Sequence, residues 1–289
     1  MKIIKTEQGS EEWLNWRKTV ITATDCPAIL GSSPYQTAHK CWQRKLGLVE
    51  PQKTSAIMER GKALEPIARA QFEVDFGIKM IPEVVESTEH PFLGASLDGI
   101  SPCGQYILEI KTGGDKQCAV AELGEIPDHY MHQMQHQLLV TGAKLCYYYF
   151  FDGSRGICLE VEPDPQFVAT FLPIARDFWR KIAFFEAPQL TERDYKDMND
   201  DRSWNEYADM YLEVDAQLKG LEDKKDFLRK KLIELAGEHN CQSKALKVMK
   251  IITRGRVDYE QVPELKTVDL DKYRKGTSVS WKIVAAKAG

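Results

Sequence analysis

The apolar positions of this chain change period several times, and the changes divide it into elements. Residues 56–77 repeat at helical spacing, with Ile57, Leu64, Ile67, Ala68, Phe72 and Phe76 on one face and Gly77 as a stop. Two apolar strands follow, FLGASLDG and YILEIKT, separated by turn residues between Ser101 and Gly104. A second helix is predicted in IPDHYMHQMQHQLLVTG, then strands in LCYYYFF and CLEVEPD, and a closing helix in QFVATFLPIARDFWRKIAFF with an irregularity at Pro173. This mixture predicts an α/β core over residues 1–190, a mixed central sheet flanked by helices. Residues 191–289 read differently. There Trp204, Tyr207, Tyr211, Val214, Leu218, Leu221, Lys225, Leu228, Leu232 and Leu235 alternate by three and four, a coiled-coil-like seam with one polar break. Such a seam can join subunits or pack on the chain's own core. The segments ALKVMKIIT, RVDYEQV and SVSWKIV predict a small strand-rich extension after this long helix.

Strand alternation brings chemistry to one place. Glu109 and Lys111, two residues apart, point to one face while Leu108 and Ile110 point to the other. The turn at Ser101 to Gly104 returns the chain so that Asp98 comes beside Glu109. Two carboxylates on one side of a buried sheet are costly unless a cation lies between them, and Mg²⁺ takes hard oxygen ligands and phosphate oxygens. Lys111 adds a point charge. The same spacing also occurs in exposed hairpins, but here the flanking residues are apolar. Gly94, Gly99, Gly113 and Gly114 are read as room for a ligand's close approach.

Neighbouring segments supply further candidates. Glu65 lies at the apolar boundary of its helix, as a third acid if it faces the sheet and a solvated acid if it does not, and Pro66 could set a helix boundary there. Gln133 can hydrogen-bond an attacking water or a phosphate oxygen, whereas Gln137 is read as stabilising the helix surface. His129, His132 and His136 share helical spacing that could suit transition-metal ligation, but no zinc motif accompanies them, so a packed or solvent-exposed set is the favoured reading. Arg17 can grip a phosphate through its donor fork, with Thr24 contributing a hydroxyl. Thr24 also fits a helix cap before PAIL, and Trp13 and Trp16 read as packing residues.

A net charge of -4 over 289 residues works against a uniformly basic surface, so nucleic-acid binding requires a local patch, to which Lys40, Arg44, Lys45, Lys53, Arg60 and Lys62 could contribute. The seven cysteines are dispersed and odd in number, which argues against a disulfide framework and against a compact iron–sulfur ligand set. The sequence shows neither a long apolar span nor the apolar core of a secretory signal, and a cytoplasmic setting with no membrane partner is expected.

Taken in order, QGSEEWLNWRKTVITATDCPAILG, MERGKALEP, GASLDG, LEIKTG and YMHQMQHQLLVTG resemble the lambda-exonuclease and YqaJ-like viral recombinase group of the PD-(D/E)xK nucleases, over roughly Gln8 to Phe185. The resemblance implies a restriction-endonuclease-like fold. It also implies a Mg²⁺-dependent exonuclease, with Mn²⁺ able to substitute, that degrades one strand of linear double-stranded DNA from a 5′ phosphate end. Products would be 5′-mononucleotides and 3′ single-stranded tails. Glu65, Asp98, Glu109, Lys111 and Gln133 match the family's catalytic positions, with Glu65, Asp98, Glu109 and the Ile110 carbonyl as the implied metal ligands. Arg17 and Thr24 match residues that would engage the terminal phosphate. A homo-oligomer in the form of a ring-shaped trimer, a single-strand annealing partner and a phage or prophage origin are implied in the same way. The long helical extension departs from the compact pattern of the group. A metal-dependent endonuclease and an inactive DNA-binding or phage assembly module stand as alternatives.

Overall fold

The structure, a computed structural model, describes residues 1–49 and 55–252 together with positions 255, 262, 263 and 268. Lys53, all of SVSWKIV and most of RVDYEQV lie outside the described residues. Two compact units are present, Met1–Lys196 and Asp197–Gly289.

The first unit runs β1 (Lys2–Ile3), α1 (Glu11–Lys18), β2 (Ile21–Thr22), α2 (Cys26–Ile29), α3 (Ala38–Lys45), α4 (Ala56–Phe76), β3 (Ile81–Glu86), β4 (Leu93–Ile100) and β5 (Tyr106–Thr112). It continues with α5 (Asp115–Glu122), α6 (Asp128–Thr141), β6 (Leu145–Phe151), β7 (Gly156–Val161) and α7 (Pro165–Ala183). One seven-stranded sheet has the order β1-β3-β4-β5-β6-β7, with β2 beside β4. β5 and β6 are parallel, whereas β3–β4, β4–β5 and β6–β7 are antiparallel. The parallel step requires a crossover, which α5 and α6 provide.

Both faces of the sheet are covered, so its central strands are apolar throughout: six of the seven residues of LCYYYFF are buried. α4 lays Ala68 and Phe72 on the face that carries Leu108 and Ile110. On the opposite face Met134 and Leu138 of α6, Phe171 of α7 and Ile29 of α2 meet Leu97, Ile107 and Tyr148.

Local chemistry sets the helix ends. α4 opens with Ser55 Oγ accepting from the Met58 amide and closes on Gly77 at φ 67°, the left-handed conformation glycine adopts without strain. It runs unbroken through Pro66, so no boundary falls at Glu65. α7 likewise contains Pro173. α2 has Asp25, not Thr24, at its cap position.

In the second unit α8 (Arg202–Ala236) opens with Asp201 accepting from the Trp204 amide, and β8 (Cys241–Gln242) pairs antiparallel with β9 (Lys247–Val248). Among the described residues no helix is long and apolar enough to cross a membrane.

Candidate functional site

β4 and β5 pair only at Gly99–Leu108 and Ile100–Ile107. Beyond them the strands fork. The register of β4 on β3 shifts at the same place, between the partners of Ile81 and Glu83. In the fork the Asp98 side chain takes over from the backbone ladder, its Oδ2 accepting from the Ile110 amide at 2.7 Å. Asp98 therefore comes toward Glu109 through the opening of the sheet.

Glu109 is buried at 2% exposure and accepts three hydrogen bonds. Its Oε1 accepts from Lys111 Nζ and from Gln133 Nε2 (2.6 Å), and its Oε2 accepts from Gln137 Nε2 (2.5 Å). Gln137 is thus no surface residue: four positions after Gln133 on α6, it lies on the helix face pressed against β5. Lys111 also donates to Gln133 Oε1 at 3.3 Å, and its ammonium lies 4.7 Å from the centre of the Tyr130 ring. Glu65 is half-buried and lines the same cleft, with Arg69 3.8 Å away one helical turn on. Arg69 donates to the Asp98 carbonyl at 2.6 Å, tying α4 to the fork. Arg69 escaped the sequence reading, although its spacing from Glu65 was a usable signal.

Negative charge accumulates here. Burial raises the pKa of Asp98 well above the usual carboxylate range, and Glu109 and Glu65 raise it further against the opposing Lys111 and Ile110 amide. Burial also raises Glu65, opposed by Arg69 and reinforced by Glu109. Burial works against the Lys111 ammonium, but Glu109 and Asp98 override it and hold its pKa above the ordinary value. Among the described residues no three His, Cys, Asp or Glu side chains form a ready-made metal cage. The donor chemistry nonetheless fits a hard divalent cation, because a carboxylate such as Asp98, whose proton affinity is raised by burial and by neighbouring acids, is stabilised by positive charge. Lys111 is the cation that Glu109 faces in this structure.

A second cluster reaches the cleft through Arg17 and Thr24. Arg17 Nη2 donates to Thr24 Oγ1 at 2.7 Å, and its guanidinium lies 4.7 Å over the Trp13 ring. Trp13 and Trp16 are anchored by their indole N–H groups on Ser96 Oγ and Glu86 Oε1, each at 2.8 Å. Behind Arg17, Asp25 is 1% exposed, with Arg44 Nη2 at 3.1 Å and Lys45 Nζ against its other oxygen. Burial pushes the Asp25 carboxyl up, yet Lys45, Arg17 and Arg44 together hold it far below the usual range. Arg44 and Lys45, first read as surface charge, are structural partners of Asp25. Arg17, Thr24, Glu65, Asp98, Glu109, Ile110, Lys111 and Gln133 all line one cleft of about 410 Å³.

Three glycines serve packing rather than a ligand. A Cβ on Gly94 would come within 2.7 Å of Trp16, one on Gly99 within 2.7 Å of Met80, and one on Gly113 within 3.0 Å of Gln117. The histidines do not converge: His132 Nδ1 meets Ser32 Oγ at 2.7 Å and His136 Nε2 meets the Gly94 carbonyl at 3.0 Å.

Comparison with known proteins adds kinship to geometry. Residues 12–144 match the model of the YqaJ-like viral recombinase domain. The match is a likeness of this region to that domain and covers fewer than half of the residues. A curated relative, the uncharacterized protein YqaJ of Bacillus subtilis (strain 168), is 30% identical over 194 residues, 64% of this chain. The chain spans 60% of the length of that relative. Among solved structures, LHK-Exo in complex with dAMP aligns at 22% identity and TM-score 0.55, over 61% of this chain and 94% of that one. The alkaline exonuclease LHK-Exo from Laribacter hongkongensis aligns at 22% identity and TM-score 0.54, with the same shares. At that identity the likeness is one of fold. Glu65, Asp98, Glu109, Lys111 and Gln133 lie within the YqaJ-like region, as do Arg17 and Thr24.

Proposed function

We propose that the chain is a divalent-metal-dependent nuclease that degrades linear double-stranded DNA from a 5′ phosphate end, releasing 5′-mononucleotides and leaving 3′ single-stranded tails. One observation carries the reading: the carboxylate fork and the Arg17–Thr24 pair line the same cleft, so a strand whose terminal phosphate is held by Arg17 and Thr24 would lie in the cleft that the carboxylates share. The solved alkaline exonuclease of like fold supports the activity class.

Asp98, Glu109 and the Ile110 carbonyl would hold Mg²⁺ or Mn²⁺, with Glu65 completing the set. When bound, such an ion polarises the phosphate and lowers the pKa of attacking water. The protein's own groups supply the rest. Gln133 and Gln137 fix the rotamer of Glu109. Lys111, charged because Glu109 and Asp98 favour its protonated form, faces developing negative charge and orients the water. Arg17 and Thr24 offer donors to the terminal phosphate, which fixes the register of the strand. The likeness to the YqaJ-like viral recombinase domain is the ground for a setting in phage-type recombination, and the proposal extends to a single-strand annealing partner and a ring-shaped trimer of nuclease units.

The test uses linear duplexes with 5′ phosphate or 5′ hydroxyl ends, labelled at each terminus, and a closed circle, each with Mg²⁺ and with chelator. Mg²⁺-dependent release from the 5′ phosphate end, reduced to the 5′ hydroxyl rate by Arg17→Ala, is expected. Cleavage of the circle would replace the exonuclease with an endonuclease, and binding without release would leave a DNA-binding module.

A further inference from the structure

The second unit carries a feature that the nuclease reading does not use. α8 is 35 residues long, and its heptad seam is exposed along its length, Leu221 at 64% and Leu235 at 84%. At 1.5 Å per residue the helix extends about 52 Å, and an apolar stripe of that length calls for a partner. We propose that the partner is α8 of a second copy of this chain, paired antiparallel along its whole length.

Charge and size favour that occupant over other arrangements. Between Ser203 and Leu218 the helix carries Glu206, Asp209, Glu213 and Asp215 and no basic residue. Between Lys224 and Lys231 it carries five bases and one acid, Asp226. Two copies side by side in parallel would set acid on acid and base on base, and would place Lys225 against Lys225 in the core of the seam. The antiparallel pair lays the acidic half of each helix on the basic half of the other. In the register that uses the whole seam, Trp204 meets Leu235 and Tyr211 meets Leu228, so each large ring faces a smaller aliphatic chain. Lys225 meets Val214, whose neighbour Asp215 stands within reach of the ammonium. A lone polar residue at such a position selects orientation and register at some cost in stability. The contact is isologous: every pairing occurs twice about one two-fold axis. It joins chains in even numbers, two if the nuclease units are otherwise separate and six if they also form three-membered rings.

Charge reversal tests the pairing in the full chain by sedimentation across a dilution series, with helical circular dichroism as the folding control. Asp215→Lys and Lys225→Asp each place like charges together across the two-fold axis. Each is expected to weaken association at least about tenfold, and the double variant to recover most of it. Within one helix the two positions are ten residues and about 15 Å apart, so a single copy of α8 cannot produce that rescue. Leu218→Asp is expected to halve the assembled mass. A wild-type mass of one or three chains, single reversals that leave association unchanged, or a double variant no better than the singles would each overturn the proposal.

Discussion

The Asp98 fork and the Asp25 cluster are built from the same residue types and hold opposite charge balances. At Asp25 one buried carboxylate faces Lys45, Arg17 and Arg44, and its proton affinity falls far below the ordinary value in spite of burial. At Asp98 three carboxylates share Lys111 and the more distant Arg69, and the proton affinity of Asp98 rises. Burial pushes both carboxylates the same way, so the neighbours decide the sign. The first arrangement is complete without a ligand and pins the segment that carries Thr22 and Thr24 to α3. The second is short of positive charge, as a site that takes up a cation must be. A buried acidic residue is therefore informative only with its charge count.

The sharpest break of this contrast is Asp25→Ala. It leaves Lys45, which is 7% exposed, and Arg44 facing an emptied site, and a buried pair broken from one side typically costs about 3–5 kcal/mol. Chemical denaturation should show that loss, with reduced nuclease activity following from instability. Asp98→Asn should do the reverse. It removes a carboxylate that its neighbours repel, so the thermal midpoint stays level or rises, while Mg²⁺-dependent hydrolysis falls roughly 10²–10³-fold, the usual scale for removing one group that stabilises a transition state. If Asp98→Asn unfolded the protein and Asp25→Ala did not, the two roles would be exchanged.

How much of this was legible in the sequence depends on how local each interaction is. Glu109 and Lys111 were legible because the strand period alone puts them on one face. The long helix and its seam were legible for the same reason, and α8 spans all ten seam positions. The hairpin that returns Asp98 toward Glu109 was legible from its turn residues, but the fork in which Asp98 accepts from the Ile110 amide was not, because it accompanies a register shift between β3 and β4 that no local pattern announces. Asp25 pairs with residues 19 and 20 positions away, a distance that follows from the packing of α3. Gln137 was misread although its four-residue spacing from Gln133 was visible, because a polar residue invites a surface reading and its partner Glu109 lies on another element. The glycines of β4 were taken for ligand space when the objects that need the room are Trp16 and Met80.

His136 separates the two clusters on the pH axis. It is fully buried on α6 beside Phe171, and burial lowers its pKa from 6.5 to about 4, with Asp25 and Lys45 acting on it in opposite directions. Between those values the unfolded chain binds a proton that the folded chain does not. His136 therefore withdraws stability as pH drops from about 6.5 toward about 4, by roughly 3 kcal/mol at most, while the raised carboxyls of Asp98 and Glu65, which hold their protons more tightly in the folded chain, act in the opposite direction. The Asp25 contribution, from a depressed carboxylate, is constant over that window and is lost only as pH falls below about 4. Relative to wild type, His136→Gln should gain stability as pH drops from 6.5 to 4 and leave the loss below that window unchanged. An unchanged slope in the variant would assign the window to other groups.

The smallest expected effect bears most directly on the charge count. A cation that binds the folded chain alone stabilises it by RT ln(1 + [L]/Kd), about 1.4 kcal/mol at tenfold excess over Kd. Mg²⁺ without DNA should therefore raise the thermal midpoint of the wild-type chain by a few degrees and leave Asp98→Asn almost unmoved. Mn²⁺ should act in the same direction. The Asp25 cluster offers such an ion no net negative charge, so the increment from Mg²⁺ should survive in a conservative Arg44→Lys variant. Equal stabilisation of wild type and Asp98→Asn would mean that the ion binds elsewhere, and the contrast between a complete cluster and a cation-deficient one would then lose its functional meaning.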